Sequence, residues 1–268
     1  MRSSPSLRST IGLGLDSATA DTTPTLDLEH VTVAFAGLTA VDAVTLSFRR
    51  GERCAIIGPN GAGKTTLFRA ISGETNLAHG RVRLLDRDIT KASPERRAAL
   101  GLGRTFQVTS LFGGLTVEQN VLLALLSRRP ARHCFWRPLR IDAQLDEHIV
   151  SVLDRVLLSN RRNDLVSVLS HGEQRQLELG VALASAPTVL LLDEPAAGLS
   201  GTEREMLGEL IASLDQQLTL LIIDHDIDLV FGLADRVVCM DNGVVIADGA
   251  PDDVRADERV RSVYLGVV

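Results

Sequence analysis

Three short apolar runs punctuate the chain, and each stops at polar residues. Ala55-Ile56-Ile57 runs into Gly58, Val189 to Leu192 into Asp193-Glu194, and Leu220 to Ile223 into Asp224-His225. Uninterrupted runs of this length predict central parallel strands covered on both faces. Elsewhere the pattern alternates. Leu26-Asp27-Leu28-Glu29-His30-Val31-Thr32-Val33 predicts a half-buried strand, with Phe35 in the turn after it. Val44 to Phe48 and Gly80 to Leu84 read as further strands, and Val237 to Met240 and Val244 to Ala247 as a hairpin about Asn242-Gly243. Helical spacing marks Thr66 to Ile71, Pro94 to Leu100, Glu203 to Leu214, Ile227 to Ala234 and a last piece carrying Val260, Val263, Tyr264 and Leu265. From about residue 108 to 169 no β-run occurs. Val117, Val121, Leu122 and Leu125, then Ile149, Val152, Leu153 and Val156, recur at helical spacing, which predicts a helical block set into an alternating α/β chain.

Parallel packing would carry the polar ends of the three apolar runs to one sheet edge, where open α/β sheets bind ligands. The first end is Gly58-Pro59-Asn60-Gly61-Ala62-Gly63-Lys64-Thr65, followed by Thr66. It is the G-x-x-x-x-G-K-T phosphate loop, with the required strand before it and helix after it. Glycines let backbone N–H groups close on a phosphate, and the helix N-terminus adds partial positive charge. Lys64 suits the outer phosphates and the Thr65 hydroxyl a Mg²⁺ ion. At the second end, Asp193 suits support of that ion. Glu194, one residue on, is expected on the other side of the pleat, placed to orient the water that attacks a γ-phosphate. At the third, His225 suits a hydrogen bond to that phosphate. Plainer readings stay open: Asp193-Glu194 as a strand exit before Pro195, His225 as a core histidine, and Asp226 as a cap for the helix from Ile227. The stretch Leu169-Ser170-His171-Gly172-Glu173-Gln174 contains a capping box, Ser170-x-x-Glu173. It is equally an anion-binding helix start. The phosphate loop already has a helix of its own, so a second one fits a nucleotide held by another copy, an arrangement a twofold dimer makes reciprocal.

Composition narrows the field. Hydrophobic residues make up 45% of the 268, enough for a sizeable core. The net charge of −6 and 3% aromatics argue against nucleic acid as a partner. Cys54, Cys134 and Cys239 lie far apart with no C-x-x-C spacing, as buried or incidental thiols in a reducing compartment do. No apolar run is long enough to span a bilayer, and the start lacks the apolar centre of a secretory signal. A soluble cytoplasmic protein is expected, with residues 1–24, rich in Ser and Thr, as a disordered extension. The basic segment Arg128 to Arg140, which holds Trp136, fits a membrane or partner surface, and better a solvated linker between helices.

Taken together, the motifs from Leu26 onward resemble those of the ATP-binding-cassette ATPases, the nucleotide-binding subunits of ABC transporters. Gly58 to Thr65 matches Walker A, Gln107 after Arg104-Thr105-Phe106 the Q-loop, Leu169 to Gln174 the signature, Val189 to Glu194 Walker B, Ala197 to Ser200 the D-loop and His225 the switch histidine. Phe35 stands where the family stacks an aromatic on adenine. The resemblance implies a P-loop NTPase with a RecA-like mixed-sheet core (25–107 and 186–250), an N-terminal antiparallel β subdomain, an inserted helical subdomain (108–185) and a helical tail (251–268). It implies two Mg²⁺-ATP between head-to-tail cassettes, each held by one Walker A and the other cassette's Ser170 and Gly172. Thr65, Gln107 and Asp193 would serve the Mg²⁺ ion, and Glu194 would polarise water. The signature departs from the family at His171, usually Gly, and Glu173, usually Gln.

The signature, Asp193-Glu194-Pro195-Ala196-Ala197-Gly198-Leu199 and the ending Val263-Tyr264-Leu265-Gly266 resemble the LivG-type subunit of branched-chain amino acid importers. That implies a second cassette (LivF-like, or another copy), two membrane permeases, an extracytoplasmic substrate-binding protein acting through them, and a place on the cytoplasmic face of the membrane. Urea or short-chain amide importers and lipopolysaccharide-type exporters are alternatives, as are a soluble ATPase of DNA repair or translation and a regulatory module without turnover.

Overall fold

The computed structural model describes residues 24–105, 111–127 and 143–265. The first 23 residues, Gln107, Cys134 and the basic segment Arg128 to Arg140 lie outside them. Two sheets organise the rest. In the small antiparallel one, β1 (Leu26–Phe35) pairs with β2 (Leu38–Phe48) and β4 (His79–Leu84), and β4 with the short β5 (Arg87–Asp88). The large one has the order β10-β9-β3-β8-β7-β6. Here β3 (Arg53–Ile57), β6 (Leu102–Arg104), β7 (Val189–Asp193), β8 (Thr219–Ile223) and β9 (Arg236–Asp241) run parallel, and β10 (Val244–Gly249) is antiparallel to β9. The three apolar runs are therefore neighbours, β3-β8-β7, as their sequence requires, because side chains on both faces are buried.

Period-two alternation divides those strands between two cores. Ala55, Ile57, Leu190, Leu192, Leu220 and Ile222 face one way. That face is covered by α3 (Val117–Ser127), α4 (Ala143–Arg155), α5 (His171–Ala184), α6 (Gly201–Ala212) and α7 (Ile227–Leu233), with α8 (Pro251–Ala256) and α9 (Glu258–Leu265) at the β9–β10 side. Cys54, Ile56, Leu191, Leu221 and Ile223 face α1 (Lys64–Ser72) and the antiparallel sheet. Each leucine or isoleucine among them contributes about 1.5–3 kcal/mol by leaving water. Between α1 and β6 lies α2 (Pro94–Ala99), capped by Ser93. The buried guanidinium of Arg97 on α2 donates to Ala70 O (2.7 Å) and Ile71 O (2.6 Å), satisfying carbonyls at the end of α1.

Among the described residues the helical block runs from α3 to α5, broken by two short 3-10 turns and a single bridge, Thr116 to Leu165. Asn242 and Gly243 both have positive φ, 47° and 83°, as a two-residue hairpin turn requires. Phe35 departs from expectation: it ends β1 and is 48% exposed. Strand β6 is buried with only three residues and was not marked by any pattern, because its alternation is too short to read.

Candidate functional site

At the carboxyl end of β3 the chain turns sharply into α1. Gly58 has φ 150°, and a Cβ there would stand 2.2 Å from Met240 O; at Gly63, with φ 97°, it would stand 2.4 Å from Ala40 O. Both positions need glycine for close backbone approach. Gly63 is also the N-cap of α1 and offers no side chain to the first N–H groups of the helix, so these face the depression outside. That depression, about 170 Å³, is lined by Ala40, by Asn60 to Thr66 and by Glu194 and His225. Lys64 is folded back beneath it, donating from Nζ to Gly58 O (2.6 Å) and Pro59 O (2.9 Å). Burial pushes its ammonium pKa down, and the nearby carboxylates of Glu194 and Asp193 push it back up.

Glu194 reaches the same opening by a route the sequence did not indicate. Strand β7 ends at Asp193, and Glu194 adopts left-handed backbone, φ 50°, while its N–H still donates to Ile223 O (2.7 Å). Its side chain is aimed by that turn and not by pleat alternation. The Nε2 of His225 lies 2.7 Å from Glu194 Oε1, and a carboxylate only accepts, so Nε2 carries the proton. With 53% of its side chain exposed, His225 is not a core histidine. Asp224 ties the loops after β7 and β8 together: Oδ2 accepts from Ala196 N (3.1 Å) and Oδ1 from Asp226 N (3.0 Å). Asp226 caps α7, accepting from Leu229 N.

Asp193 lies below the opening and is buried. Its Oδ2 accepts from Arg104 (3.0 Å), which also donates to Glu74 (2.6 Å) and Ser72 (2.9 Å). Burial pushes the Asp193 carboxyl above the usual carboxylate range, and Arg104 opposes the shift. Asp193 Oδ1 has no hydrogen-bond partner among the described residues. A buried carboxylate oxygen left open near Lys64, with Thr65 lining the depression, suits a Mg²⁺ ion, which takes one or two protein oxygens and completes its shell with phosphate and water. Among the described residues no cluster of three or more His, Cys, Asp or Glu forms a self-sufficient metal cage.

Ser170 and Gly172 are elsewhere. With Arg161, Glu173 and Glu203 they line a separate depression at the head of α5. The capping box is present: Ser170 Oγ accepts from Glu173 N (3.2 Å) and Glu173 Oε2 from Ser170 N (2.8 Å). Glu173 also pairs with Arg161 (2.8 Å), which holds its carboxyl below the usual range. Gly172 N–H donates to Glu203 Oε1 (3.3 Å), and the His171 ring lies against Gly198, where a Cβ would stand 3.1 Å from Nε2. Phe35 is not among the residues lining the phosphate-loop depression, and Gln107 lies outside the described residues. Sequence reasoning passed over Arg104, Glu203 and Tyr264. Arg104 stands in register with Leu191, two residues before Asp193, and Ser200-x-x-Glu203 is a readable capping box. Helical spacing placed Tyr264 in the last helix but gave no sign of its partner: the hydroxyl accepts from Gly58 N–H.

The glycine-lined start of α1 and its lysine, set at the carboxyl end of a parallel sheet, make this a P-loop nucleotide-binding fold. Comparison with known proteins is more specific. The sequence profile of the family described as ABC transporter matches residues 41–197, and that of the branched-chain amino acid ATP-binding cassette transporters matches residues 244–268. The high-affinity branched-chain amino acid transport ATP-binding protein LivG of Salmonella typhimurium is 35% identical over 256 residues, covering 91% of this chain and 98% of its own. BraF of Pseudomonas aeruginosa, described in the same words, is 35% identical over 250 residues, with the same coverage. The crystal structure of an ATP-binding cassette of an ABC transporter in its ADP conformation superposes with a TM-score of 0.82 at 29% identity, covering 92% of this chain and all of the other. The chain belongs to the ATP-binding cassette family of ABC transporters.

Proposed function

We propose that this chain binds and hydrolyses ATP as the cassette subunit of an importer for branched-chain or other hydrophobic amino acids. It would work at the cytoplasmic face of the membrane through two permeases fed by an extracytoplasmic substrate-binding protein. The observation that carries the hydrolytic part is the Glu194–His225 pair across the mouth of the phosphate loop. The α1 N–H groups and Lys64 bind the phosphates, with Lys64 exchanging carbonyl partners for phosphate oxygens. Thr65 and Asp193 would hold Mg²⁺, with Gln107 as a further ligand, and the ion would offset charge on the phosphate oxygens. Glu194 accepts a hydrogen bond from the attacking water and aligns it, and His225 fixes the carboxylate by donating from Nε2. Phe35 would stack on adenine.

Ser170 and Gly172 share no lining residue with the phosphate-loop depression, which supports a role toward the nucleotide of a second cassette, LivF-like or another copy. No helix among the described residues is long and apolar enough to cross a membrane, which fits attachment through permeases. The helical block and Gln107 would meet those permeases. The amino-acid substrate is supported by the LivG and BraF relatives and the C-terminal profile.

Glu194→Gln tests the reading. Hydrolysis should fall about 10²–10⁴-fold while ATP binding is kept and the cassettes stay dimerised, measured by phosphate release and gel filtration with Mg²⁺-ATP. Unchanged turnover would remove Glu194 from the water-aligning role. A panel of binding proteins tried against the reconstituted complex, scored by stimulated ATP turnover, would test the substrate assignment.

A further inference from the structure

We infer that Tyr264 is a positioning residue for the phosphate loop: helix α9 fixes the Gly58 peptide on which Lys64 rests, and so the C-terminal segment sets nucleotide affinity. The inference rests on the ATP-binding reading above. Strand β3 pairs with β9 as far as Ile57–Cys239 and with β8 as far as Ala55–Ile222. Gly58 is the first residue past both ladders, so its N–H needs an acceptor that the sheet does not supply. The Tyr264 hydroxyl oxygen is that acceptor, 206 positions away in the chain. The ring packs against the same apolar cluster as Ile57 and Cys239, and α9 is anchored beside it through buried Val260.

Gly58 is thereby held at three points. Tyr264 takes its N–H, the end of β9 stands against its Cα at Met240 O, and its own carbonyl accepts from Lys64 at 2.6 Å. When Lys64 leaves for a phosphate the third restraint goes, and the first two must hold the loop in its binding shape. Without the hydroxyl, a part-buried N–H is orphaned and the loop entrance relaxes. Nucleotide would then have to reorder it, so the loss falls on affinity. Tyr264 does not line the depression with Glu194 and His225, so the chemical step is spared.

Tyr264→Phe in the full chain keeps the ring and removes only the hydroxyl. Calorimetric titration with Mg²⁺-ADP should show binding weakened about 3- to 10-fold, the scale of one lost buried hydrogen bond. In the assembled dimer, KM for ATP should rise by a similar factor with kcat within about twofold. Hydrogen exchange in the peptide spanning residues 53–64 should quicken. Val260→Ala loosens the anchor of the same helix but leaves the hydroxyl, so it should give the affinity loss and the faster exchange in smaller measure. Unchanged affinity and exchange in Tyr264→Phe would overturn the inference, and so would losses in Val260→Ala larger than those in Tyr264→Phe. A wild-type chain that bound no Mg²⁺-ADP would instead sink the ATP reading, while the exchange comparison would still decide the Tyr264 contact.

Discussion

Helices α1 and α5 both start where the sequence allows an anion, yet the two starts are built in opposite ways. The head of α1 has a glycine cap with no side-chain acceptor, and its N–H groups face the depression. The head of α5 is already satisfied from within the chain. Ser170 and Glu173 cap each other, and Glu203 accepts from Gly172 N–H. A phosphate can settle at the first without displacing anything except the lysine's resting bonds. At the second it must replace a carboxylate. On the function proposed above, the contrast would separate a half-site that binds nucleotide alone from one that acts only when a partner cassette brings its own.

That contrast is broken most directly by one variant in each half. Lys64→Ala should lower ATP affinity of the isolated chain by more than about 100-fold, since a charge-assisted phosphate contact and its anchoring bonds go together. Ser170→Arg should leave that affinity within about twofold yet abolish ATP-driven dimerisation in a Glu194→Gln background. Fluorescent-nucleotide titration and light scattering measure the two, and equal losses of affinity would erase the distinction. Next in size is Arg104→Ala, which strands the buried Asp193 carboxylate and should cost about 3 kcal/mol in denaturant unfolding near neutral pH. The sign follows from the raised Asp193 pKa: the protonated acid is favoured in the folded state. The destabilisation should therefore be least in acid and grow as pH rises through the folded pKa. A penalty flat with pH would mean that Asp193 is not the stranded group.

Smaller effects sharpen the picture at α5. Glu203→Gln removes the charge that, on the proposed reading, a partner's phosphate would replace, and should raise ATP-driven dimerisation about 2–5-fold, read by sedimentation. Weaker dimerisation would show Glu203 to be a partner contact. Least of all, Glu173→Gln keeps the capping box but loses the carboxylate charge that pairs with Arg161. The depressed Glu173 carboxyl contributes stability present above the pKa of an unfolded glutamate and lost as pH falls through the folded value. The pair is solvated, so the loss at neutral pH should be the smallest of the set by chemical denaturation.

Much of this was readable from pattern because the apolar runs of β3, β7 and β8 are buried on both faces and end together at one edge. Long-range partners were not readable. Arg104 meets Asp193 only because a three-residue strand lies beside β7, and Tyr264 meets Gly58 across most of the chain. Glu194 shows a third kind of limit. Its position in the motif was legible, but its direction was not, since alternation holds only while the strand lasts and β7 stops one residue earlier.

The left-handed backbone of Glu194 has a consequence for engineering. A long carboxylic side chain in that conformation costs about 1 kcal/mol, whereas asparagine or glycine would sit there with less strain. Given the water-aligning role proposed for Glu194, selection for heat resistance alone, blind to turnover, would be drawn toward this position and would yield hardier proteins that no longer run.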